Sequence, residues 1–307
     1  MFVPIYGRQV AMIAVASRPT VREATVLFGG DMMFDRWIRK TTELHDDDYV
    51  LSCISPLFQK ADLVVANLEG PITSNSSESV DSVMGAPQNY VFTFPTTTGA
   101  ILYAHNIRVV NLGNNHIDNF GTDGEISTVE ALNDAHVDYF GDPASSTVAK
   151  KVISGVPLAF INYNQFIKPG HGGTSASTTV EQIIAARKDG YVPVVYTHWG
   201  IEYATSSPLF VHVLAHEFID AGAEIVIGSH PHVVEESEIY NGKHIYYSLG
   251  NLVFDQYFAE GVQHGLMIEV HFDPHGVRSV KEIKINTLKS GITCPDDAPP
   301  DDKMSSL

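Results

Sequence analysis

The chain has 307 residues, of which 44% are hydrophobic, and this composition excludes a disordered protein and a disulfide-stapled miniprotein. Its 36 acidic residues outnumber its 19 basic residues and give a formal net charge of −17. Because nucleic-acid binding normally needs a basic face that displaces phosphate counterions, nucleic acid is discounted as a partner.

The N-terminal segment, residues 1–23, is open to two interpretations. Its apolar run, residues 10–16, follows Arg8 and ends in small residues, as a cleaved signal peptide does. A secretory signal normally has a more positive start and a longer apolar stretch, so an ordinary strand or an irregular terminus is favoured. The longest apolar runs of the chain are too short to span a bilayer.

Six short β-rich runs come next, and each leads directly into Gly, Asn, Asp, Glu or His. The predicted strands are Thr25–Gly29, Asp62–Ala66, Val109–Leu112, Val192–Thr197, Glu224–Ile227 and His244–Leu249. Apolar residues at a spacing of three to four predict helices between them, at Leu51–Ala61, Gly124–Ala135, Val180–Asp189 and Pro208–Ala221. Alternating strands and helices indicate an α/β sheet, which binds its ligands at the carboxyl ends of the strands.

The pattern changes after residue 264. Leu266–Phe272 and Val280–Leu288 alternate as antiparallel strands do, with no helix between them. From Thr293 onward the chain is rich in Pro and Asp, which predicts disorder. If the polar strand ends form one site, no domain boundary falls between them, so the prediction is one domain over 24–290 and a disordered tail over 291–307.

The strand ends supply carboxylate, amide and imidazole groups, which together are the ligand set of zinc, manganese or ferrous iron. Two ions about 3.5–4 Å apart would need roughly seven or eight such groups. His230 and His232 are the most informative pair, because Pro231 between them restricts the backbone. The candidate residues are Asp31, Asn67, Glu69, Asn115, His116, His198, His230 and His232.

A structural interpretation stays open for several polar residues. Asp31 is of a residue type that is common in turns. Asn67 could form a turn or donate a hydrogen bond to a metal ligand, and Asn251 could only shape the turn after Gly250 or could line the site. His212 and His216 lie four apart on a predicted helix but lack the glutamate of the zincin signature, so they are interpreted as part of a solvent-facing stripe. Cys53 and Cys294 match no metal or redox spacing.

Six motifs, in order, resemble those of the bacterial capsule-synthesis CapA family, which is linked to poly-γ-glutamate capsule formation and related to the calcineurin-like metallophosphoesterases. The resemblance covers about residues 24 to 288. It implies an α/β fold, a four-layer αββα sandwich in which helices flank two mixed sheets, and a place in the cell envelope. The motifs are Gly30-Asp31, Asn67-Leu68-Glu69-Gly70, Gly113-Asn114-Asn115-His116, His198-Trp199-Gly200, Gly228-Ser229-His230-Pro231-His232 and Ser248-Leu249-Gly250-Asn251.

The resemblance also implies roles for individual residues. Glu69 matches the carboxylate that bridges two ions, and His116 matches the group that stabilises charge or protonates the leaving oxygen, with Asp118 placed to orient it. The implied metal ligands are Asp31, Glu69, Asn115, His198, His230 and His232. The residues expected on the substrate side or behind the ligands are Asn67, Trp199, Glu202, Tyr203 and Asn251.

One residue departs from the metallophosphoesterase pattern. The first motif usually reads Asp-x-His, but Met33 stands at the position of that histidine. Methionine is a poor ligand for hard divalent ions, so one bound Mn, Zn or Fe ion is expected more firmly than two.

Two functions follow from the resemblance and stay open. The first is a metal-dependent hydrolase of a phosphoester or a γ-glutamyl amide, whose substrate is an anionic polymer or a phosphoester. The second is a non-catalytic component of an envelope polymer-synthesis or export complex, with membrane-bound synthase subunits as partners. A phosphodiesterase unconnected with capsules is a third possibility, and the oligomeric state stays open. The net charge of −17 would repel a polyanion at long range.

Overall fold

Two mixed β-sheets lie face to face at the centre of the protein. The computed structural model describes residues 23–167 and 174–297. In chain order the strands are β1 (Ala24–Met32), β2 (Leu63–Leu68), β3 (Ile107–Asn111), β4 (Asp138–Phe140), β5 (Ala149–Ile153), β6 (Val156–Asn164), β7 (Val192–His198), β8 (Ile225–Ser229), β9 (Ser237–Tyr240), β10 (Lys243–Tyr246), β11 (Asn251–Val253), β12 (His264–Asp273), β13 (Gly276–Thr287) and β14 (Thr293–Pro295). The larger sheet has the order β14-β13-β12-β1-β2-β3-β4, with β11 also paired to β1, and the smaller has the order β5-β6-β7-β8-β10-β9.

Helices cover the outer faces of both sheets. They are α1 (Arg36–Leu44), α2 (Ser55–Phe58), α3 (Thr98–Ala104), α4 (Gly121–Asp134), α5 (Ala176–Lys188) and α6 (Leu209–Asp220). Within the described ranges, every helix is too short or too polar to cross a membrane.

Three apolar cores separate the four layers. One lies between the larger sheet and α1 to α4, a second between the two sheets, and a third between the smaller sheet and α5 and α6. Successive residues of a strand point to opposite faces, so Val194 and Tyr196 lie between the sheets whereas Val195 faces the helices. The predicted αββα sandwich of metallophosphoesterase type is therefore confirmed.

The parallel strands bring their carboxyl ends together at one edge of the sandwich. In the larger sheet β1, β2 and β3 run parallel, and in the smaller sheet β6, β7 and β8 do. The strand β11 returns alongside β1, where a Cβ atom on Gly30 would lie 1.8 Å from the carbonyl oxygen of Gly250. Glycine at position 30 therefore permits the close approach that closes this edge.

The six predicted strands and the antiparallel pair β12–β13 are all present. The predicted helix Leu51–Ala61 is shorter than expected, because only Ser55–Phe58 is α-helical. Strand β6 and helices α1 and α3 are not among the predicted elements. Strand β6 ends in Asn162 and Asn164, and asparagine is depleted in strands.

The predicted disorder from Thr293 onward is wrong for the first residues of that tail. Thr293–Pro295 forms β14, which pairs with β13 at the edge of the larger sheet. Cys294 forms a disulfide bond with Cys53, 241 residues earlier, and the Thr293 hydroxyl donates to the carbonyl of Leu252. Residues 1–22, where the signal-peptide alternative falls, and residues 298–307 lie outside the described residues.

Candidate metal centre

Two groups of buried side chains at the carboxyl edge of the sheets have the composition of metal sites. The first contains Glu69, His198 and His230, and the second contains Asp31, Glu69 and His232. Within each group the ligand atoms lie within 4.8 Å of one another. Glu69 belongs to both, as a bridging carboxylate would.

Both sheets contribute to these groups. Asp31 lies in β1 and Glu69 directly follows β2, whereas His198 ends β7. His230 and His232 follow β8 with φ values of 100° and 60°, a left-handed backbone that is unfavourable for residues other than glycine. The backbone N–H of His230 donates to Asp31 Oδ2 at 3.1 Å, so a contact between the sheets helps to hold the strained turn.

Glu69 Oε1 lies among three imidazole nitrogens. Its distances are 3.6 Å to His232 Nε2, 3.9 Å to His198 Nε2 and 4.0 Å to His116 Nε2. These separations are too long for hydrogen bonds, and neither Glu69 Oε1 nor His230 Nδ1 has a hydrogen-bond partner although both are buried. Such atoms are costly unless something else satisfies them, and shared coordination of a cation would do so. The donor set therefore fits a divalent metal.

His198 has an acceptor oxygen beside each of its ring nitrogens. Ser229 Oγ donates its proton to the carbonyl of Thr197 at 2.8 Å and so is an acceptor towards His198 Nδ1, 3.0 Å away. A metal bound at Nε2 would place the imidazole proton on Nδ1, directed at Ser229, whereas without a metal Nε2 can donate to Asn115 Oδ1, 2.8 Å away. Ser229 is a residue of the site that the motif series does not assign.

Asn251 fixes the tautomer of His232. Its side-chain nitrogen donates to Gln256 Oε1 and to the carbonyl of Val262, which leaves its oxygen as the acceptor for His232 Nδ1 at 3.0 Å. The Nε2 lone pair of His232 is therefore directed towards Glu69. Asn251 therefore lies directly behind the candidate ligand His232.

A chain of three asparagine side chains holds Asp31. Asn162 in β6 donates to Asn111 in β3 at 2.9 Å, Asn111 donates to Asn67 at 2.9 Å, and Asn67 donates to Asp31 Oδ1 at 2.8 Å. All four residues are buried. Asn67 thus lies behind the candidate ligand Asp31, and Asn111 and Asn162 were not predicted.

The two buried carboxylates have opposite pKa shifts. Burial acts to raise the pKa of Asp31, but the hydrogen bond and charge of His232, together with His198 and Asn67, lower it below its ordinary value. Burial and the neighbouring Asp31 charge raise the pKa of Glu69 well above its ordinary value. A cation between them would favour ionisation of both carboxylates.

Burial makes the imidazoles of the site weak bases. It lowers the pKa of His116 to about 4 and that of His230 to about 3, and it lowers the pKa of His198 well below its ordinary value. At neutral pH these rings are neutral, which is the form that binds a metal.

Asn115 and His116 extend from the loop after β3 towards the same edge. Asn115 Oδ1 lies 2.8 Å from His198 Nε2, so its amide oxygen shares the space of the first ligand group. His116 Nδ1 lies 3.2 Å from Asn119 Oδ1, which also accepts the backbone N–H of Phe92. Asn119 therefore orients His116, and the role of Asp118 stays a prediction.

The three residues predicted to follow His198 on the substrate side have different positions. Trp199 is fully buried in the outer core, stacks on Phe218 and donates to the carbonyl of Tyr247, so the expectation that it faces a substrate is wrong. As the residue after His198, it points to the opposite face of the sheet. Glu202 and Tyr203 are exposed beside the centre.

His212 and His216 form no metal group within the part of the chain that the structure describes. His212 pairs with Glu236 at 3.2 Å, and His216 pairs with Glu238. Both histidines are partly buried, so the predicted solvent-facing stripe is half-covered by the glutamates beside it.

Residues 25–256 match the family described as bacterial capsule synthesis protein PGA_cap. The PGA biosynthesis protein CapA of Bacillus subtilis (strain 168) is 31% identical over 266 residues, covering 81% of this chain and 68% of that protein. The capsule biosynthesis protein CapA of Bacillus anthracis is 28% identical, covering 85% and 67%. A probable polyglutamine synthesis accessory protein of Mycobacterium tuberculosis is 29% identical, covering 63% and 56%.

Among solved structures, a hypothetical protein from Thermus thermophilus has a TM-score of 0.53 at 17% identity and covers 85% of this chain and 98% of its own. This likeness concerns the fold alone. The sequence match, in contrast, spans more than half of the chain and includes Asp31, Glu69, His198 and the His230–His232 pair. The chain therefore belongs to the bacterial capsule synthesis protein family PGA_cap.

Proposed function

We propose that the protein is a metal-dependent hydrolase of poly-γ-glutamate or related envelope-polymer biosynthesis, acting on a γ-glutamyl amide or a phosphoester. The observation that carries this proposal is Glu69, a buried carboxylate common to two ligand groups and surrounded by imidazole nitrogens at 3.6–4.0 Å. The names of the two Bacillus relatives support the connection with PGA and capsule biosynthesis.

Five residues would hold the metal. Asp31 and His232 serve one position and His198 and His230 the other, with Glu69 shared, and the amide oxygen of Asn115 is close enough to assist beside His198. A bound divalent ion supplies positive charge that polarises the scissile group and acidifies water.

His116 is the proposed proton carrier. Burial keeps its pKa near 4, so the ring is neutral at neutral pH, and Asn119 holds its Nδ1. The Nε2 lone pair can therefore accept a proton from the attacking water and return it to the leaving oxygen or nitrogen. Phe92 packs against the ring with centroids 4.3 Å apart and limits its orientation.

Neither ligand group uses Met33. Its side chain is buried in the apolar core beneath the larger sheet, and its Sδ accepts the backbone N–H of Asp35 at 3.0 Å. Loss of the usual histidine therefore removes one donor without removing either of the two groups. One ion is expected to bind tightly, and the second more weakly.

A non-catalytic role in a polymer-synthesis complex is the second candidate. The replacement of a usual ligand by Met33 favours it, and so does the description of the Mycobacterium tuberculosis relative as an accessory protein. Membrane-bound synthase subunits would then be the partners. The disulfide between Cys53 and Cys294 supports a place outside the cytoplasm for either function, because such bonds persist mainly in oxidising compartments.

The first test is metal stoichiometry by mass spectrometry after reconstitution with Mn, Zn or Fe. The wild type is expected to bind one to two equivalents, and the double variant His230→Ala/His232→Ala none. The matched control is His212→Ala/His216→Ala, which removes two histidines that pair with surface glutamates.

A wild-type protein that binds no metal under any condition would overturn the hydrolase proposal and leave the non-catalytic role. Bound metal would justify assays with phosphodiester, phosphomonoester and γ-glutamyl amide substrates. Turnover that is lost in His116→Ala would support the proposed proton carrier, whereas full turnover in that variant would contradict it.

A further inference from the structure

A cleft of about 240 Å³ opens beside the candidate metal centre. Its walls come from α1, from residues 79–90 and from residues 255–258, with Tyr203 on the side of the centre. We call it the α1 cleft. The lining residues that matter here are Arg36, Lys40, Tyr90, Tyr203, Gln256 and Phe258.

Hydrogen bonds connect the α1 cleft to the ligand His232. Gln256 accepts from Asn251, the residue that fixes the tautomer of His232, and donates to the Tyr203 hydroxyl at 3.1 Å. The ring of Tyr203 lies 6.0 Å from that of His232. A molecule in the cleft that touches Tyr203 would therefore be one side chain away from His232.

Arg36 approaches the centre through two aromatic rings. Its guanidinium carbon lies 5.1 Å from the ring centroid of Phe92 and 5.4 Å from that of Phe254. Phe92 in turn packs on His116, and Phe254 lies 4.7 Å from His232. The positive charge is thus one ring away from both histidines.

The hydrogen-bonding capacity of Arg36 is only partly used by the protein. Its Nη2 donates to Asp255, but its Nη1 makes only long contacts of 3.4 Å to Asn89, and its buried Nε has no hydrogen-bond partner. A guanidinium carries five N–H donors that match the geometry of a carboxylate or phosphate. The backbone of Arg36 also has a φ of 50°, an unfavourable conformation of the kind found at functional sites.

The rim of the α1 cleft is apolar. Trp37, Met84, Tyr90, Tyr203 and Phe258 are each at least 40% exposed, which is unusual for large apolar side chains gathered in one place. A chain with methylene groups between its charges would cover such a rim while its carboxylates contact the cations.

The charge of the cleft differs from that of the whole protein. It contains two cations, Arg36 and Lys40, and two carboxylates, Asp81 and Asp255, which pair with them. The chain as a whole has 36 acidic and 19 basic residues. An anionic chain therefore meets less repulsion here than the net charge implies.

We propose that the α1 cleft binds the carboxylate-bearing chain of the substrate beside the scissile bond, and that Arg36 is the residue that recognises a carboxylate. The choice of a γ-linked glutamate chain as ligand rests on the proposed function. The Arg36 site could also accept a phosphate, so the test has one arm for each oxyanion.

The test titrates γ-linked triglutamate into the metal-reconstituted protein by calorimetry. Arg36→Gln is expected to weaken binding at least about tenfold, a factor equivalent to about 1.4 kcal/mol. Arg278→Gln is the matched control, because it removes the same charge from a side chain that is 64% exposed and does not line the cleft, and its affinity should equal that of the wild type.

Asp255→Asn separates recognition from a structural role. The amide oxygen can still accept the backbone N–H of Trp37, but the ion pair with Arg36 is lost and the guanidinium becomes free for the ligand. Triglutamate should then bind at least as tightly as to the wild type. Equal weakening by Asp255→Asn and Arg36→Gln would show that the pair only maintains the structure, and would overturn the proposal.

Lys40→Gln provides a second variant in case Arg36→Gln does not fold, since Lys40 is more exposed and makes its ion pair at the outer wall of the cleft. It is expected to weaken triglutamate binding and to reduce its dependence on salt. Unchanged affinity in a folded Arg36→Gln would overturn the proposal. So would unchanged affinity in Lys40→Gln if Arg36→Gln does not fold, or a wild type that does not bind triglutamate.

Phenyl phosphate is the probe for the second arm. Binding of phenyl phosphate that depends on Arg36, without binding of triglutamate, would overturn the carboxylate assignment. Metal stoichiometry measured on Arg36→Gln keeps this test separate from the proposed function. If Arg36→Gln retains its metal but no longer binds triglutamate, the result supports the proposed role of the α1 cleft. If the wild type binds triglutamate but takes up no metal, only the hydrolase proposal is overturned.

Discussion

Glu69 belongs to both ligand groups, whereas each histidine ligand belongs to only one. Glu69→Gln keeps the size of the side chain but removes the negative charge that a shared ligand provides. We therefore expect Glu69→Gln to lose all bound metal, and His232→Gln to keep the ion held by His198 and His230. Mass spectrometry of the reconstituted variants tests this, and equal stoichiometry in the two variants would contradict a shared carboxylate.

His116 should make the stability of the metal-free protein depend on pH. Its pKa is about 4 in the folded state against an ordinary value of 6.5, so between these values the unfolded chain binds the proton and the folded protein does not. This part of the stability is complete above pH 6.5 and is lost as the pH falls towards 4. Each pH unit in that window costs about 1.4 kcal/mol.

His116→Gln should remove this contribution. Between pH 6.5 and 4.5 the unfolding free energy of the variant should fall by about 1.4 kcal/mol per pH unit less than that of the wild type. Urea titrations in the presence of a chelator measure the unfolding free energies of wild type and variant. The raised pKa of Glu69 favours the folded state at lower pH, but this effect is present in both proteins and cancels in their difference. The exposed His275→Gln is the control, and identical slopes for His116→Gln and wild type would contradict the pKa of His116.

At the scale of the elements, β3 illustrates how the sheet serves the centre. Asn111, its last residue, accepts a hydrogen bond from Asn162 and donates one to Asn67, which in turn donates to Asp31. Asn111→Leu would break the link between Asn162 and Asn67 and remove the oxygen that accepts the backbone N–H of Gly113. We expect a loss of about 1–3 kcal/mol in stability and a roughly 10–100-fold loss of metal affinity.

Asn106, directly before β3, offers the control for this prediction. It is also buried and donates to the carbonyls of Phe58 and Ala61, away from the metal groups. Asn106→Ala should lower the melting temperature but leave metal affinity unchanged. If both variants weakened metal binding equally, the effect would come from general destabilisation and not from the asparagine chain.

Sequence patterns predicted the elements whose strand ends carry polar residues, and so they located Asp31, Glu69, His198 and the His230–His232 pair. They did not predict β6, which ends in Asn162 and Asn164, because asparagine is depleted in strands. The contribution of Asn162 depends on packing between distant parts of the chain, which spacing does not encode. Proximity in sequence was also misleading for Trp199, because neighbouring residues on a strand face opposite sides.

At the scale of the whole molecule, the disulfide between Cys53 and Cys294 joins the segment before α2 to the edge strand β14. Its removal frees the unfolded chain from a large closed loop. We expect Cys53→Ser/Cys294→Ser to lose about 2–5 kcal/mol of stability while keeping its fold, since the three apolar cores remain.

Thermal unfolding with and without a reducing agent tests this expectation. The reducing agent should lower the melting temperature of the wild type to that of the double variant and should not affect the variant. A wild type whose melting temperature is insensitive to reduction, although thiol titration shows that the bond is broken, would contradict the stabilising role.

The ligands come from both sheets, and this has a consequence for how the protein matures. Asp31 and Glu69 belong to the larger sheet and His198, His230 and His232 to the smaller one, so neither sheet alone has a complete ligand group. If the site binds an ion, a newly made chain could acquire it only after the sheets have docked across the central core. Metal capture would then mark the last step of assembly, and an ion held across this junction would slow the separation of the two halves.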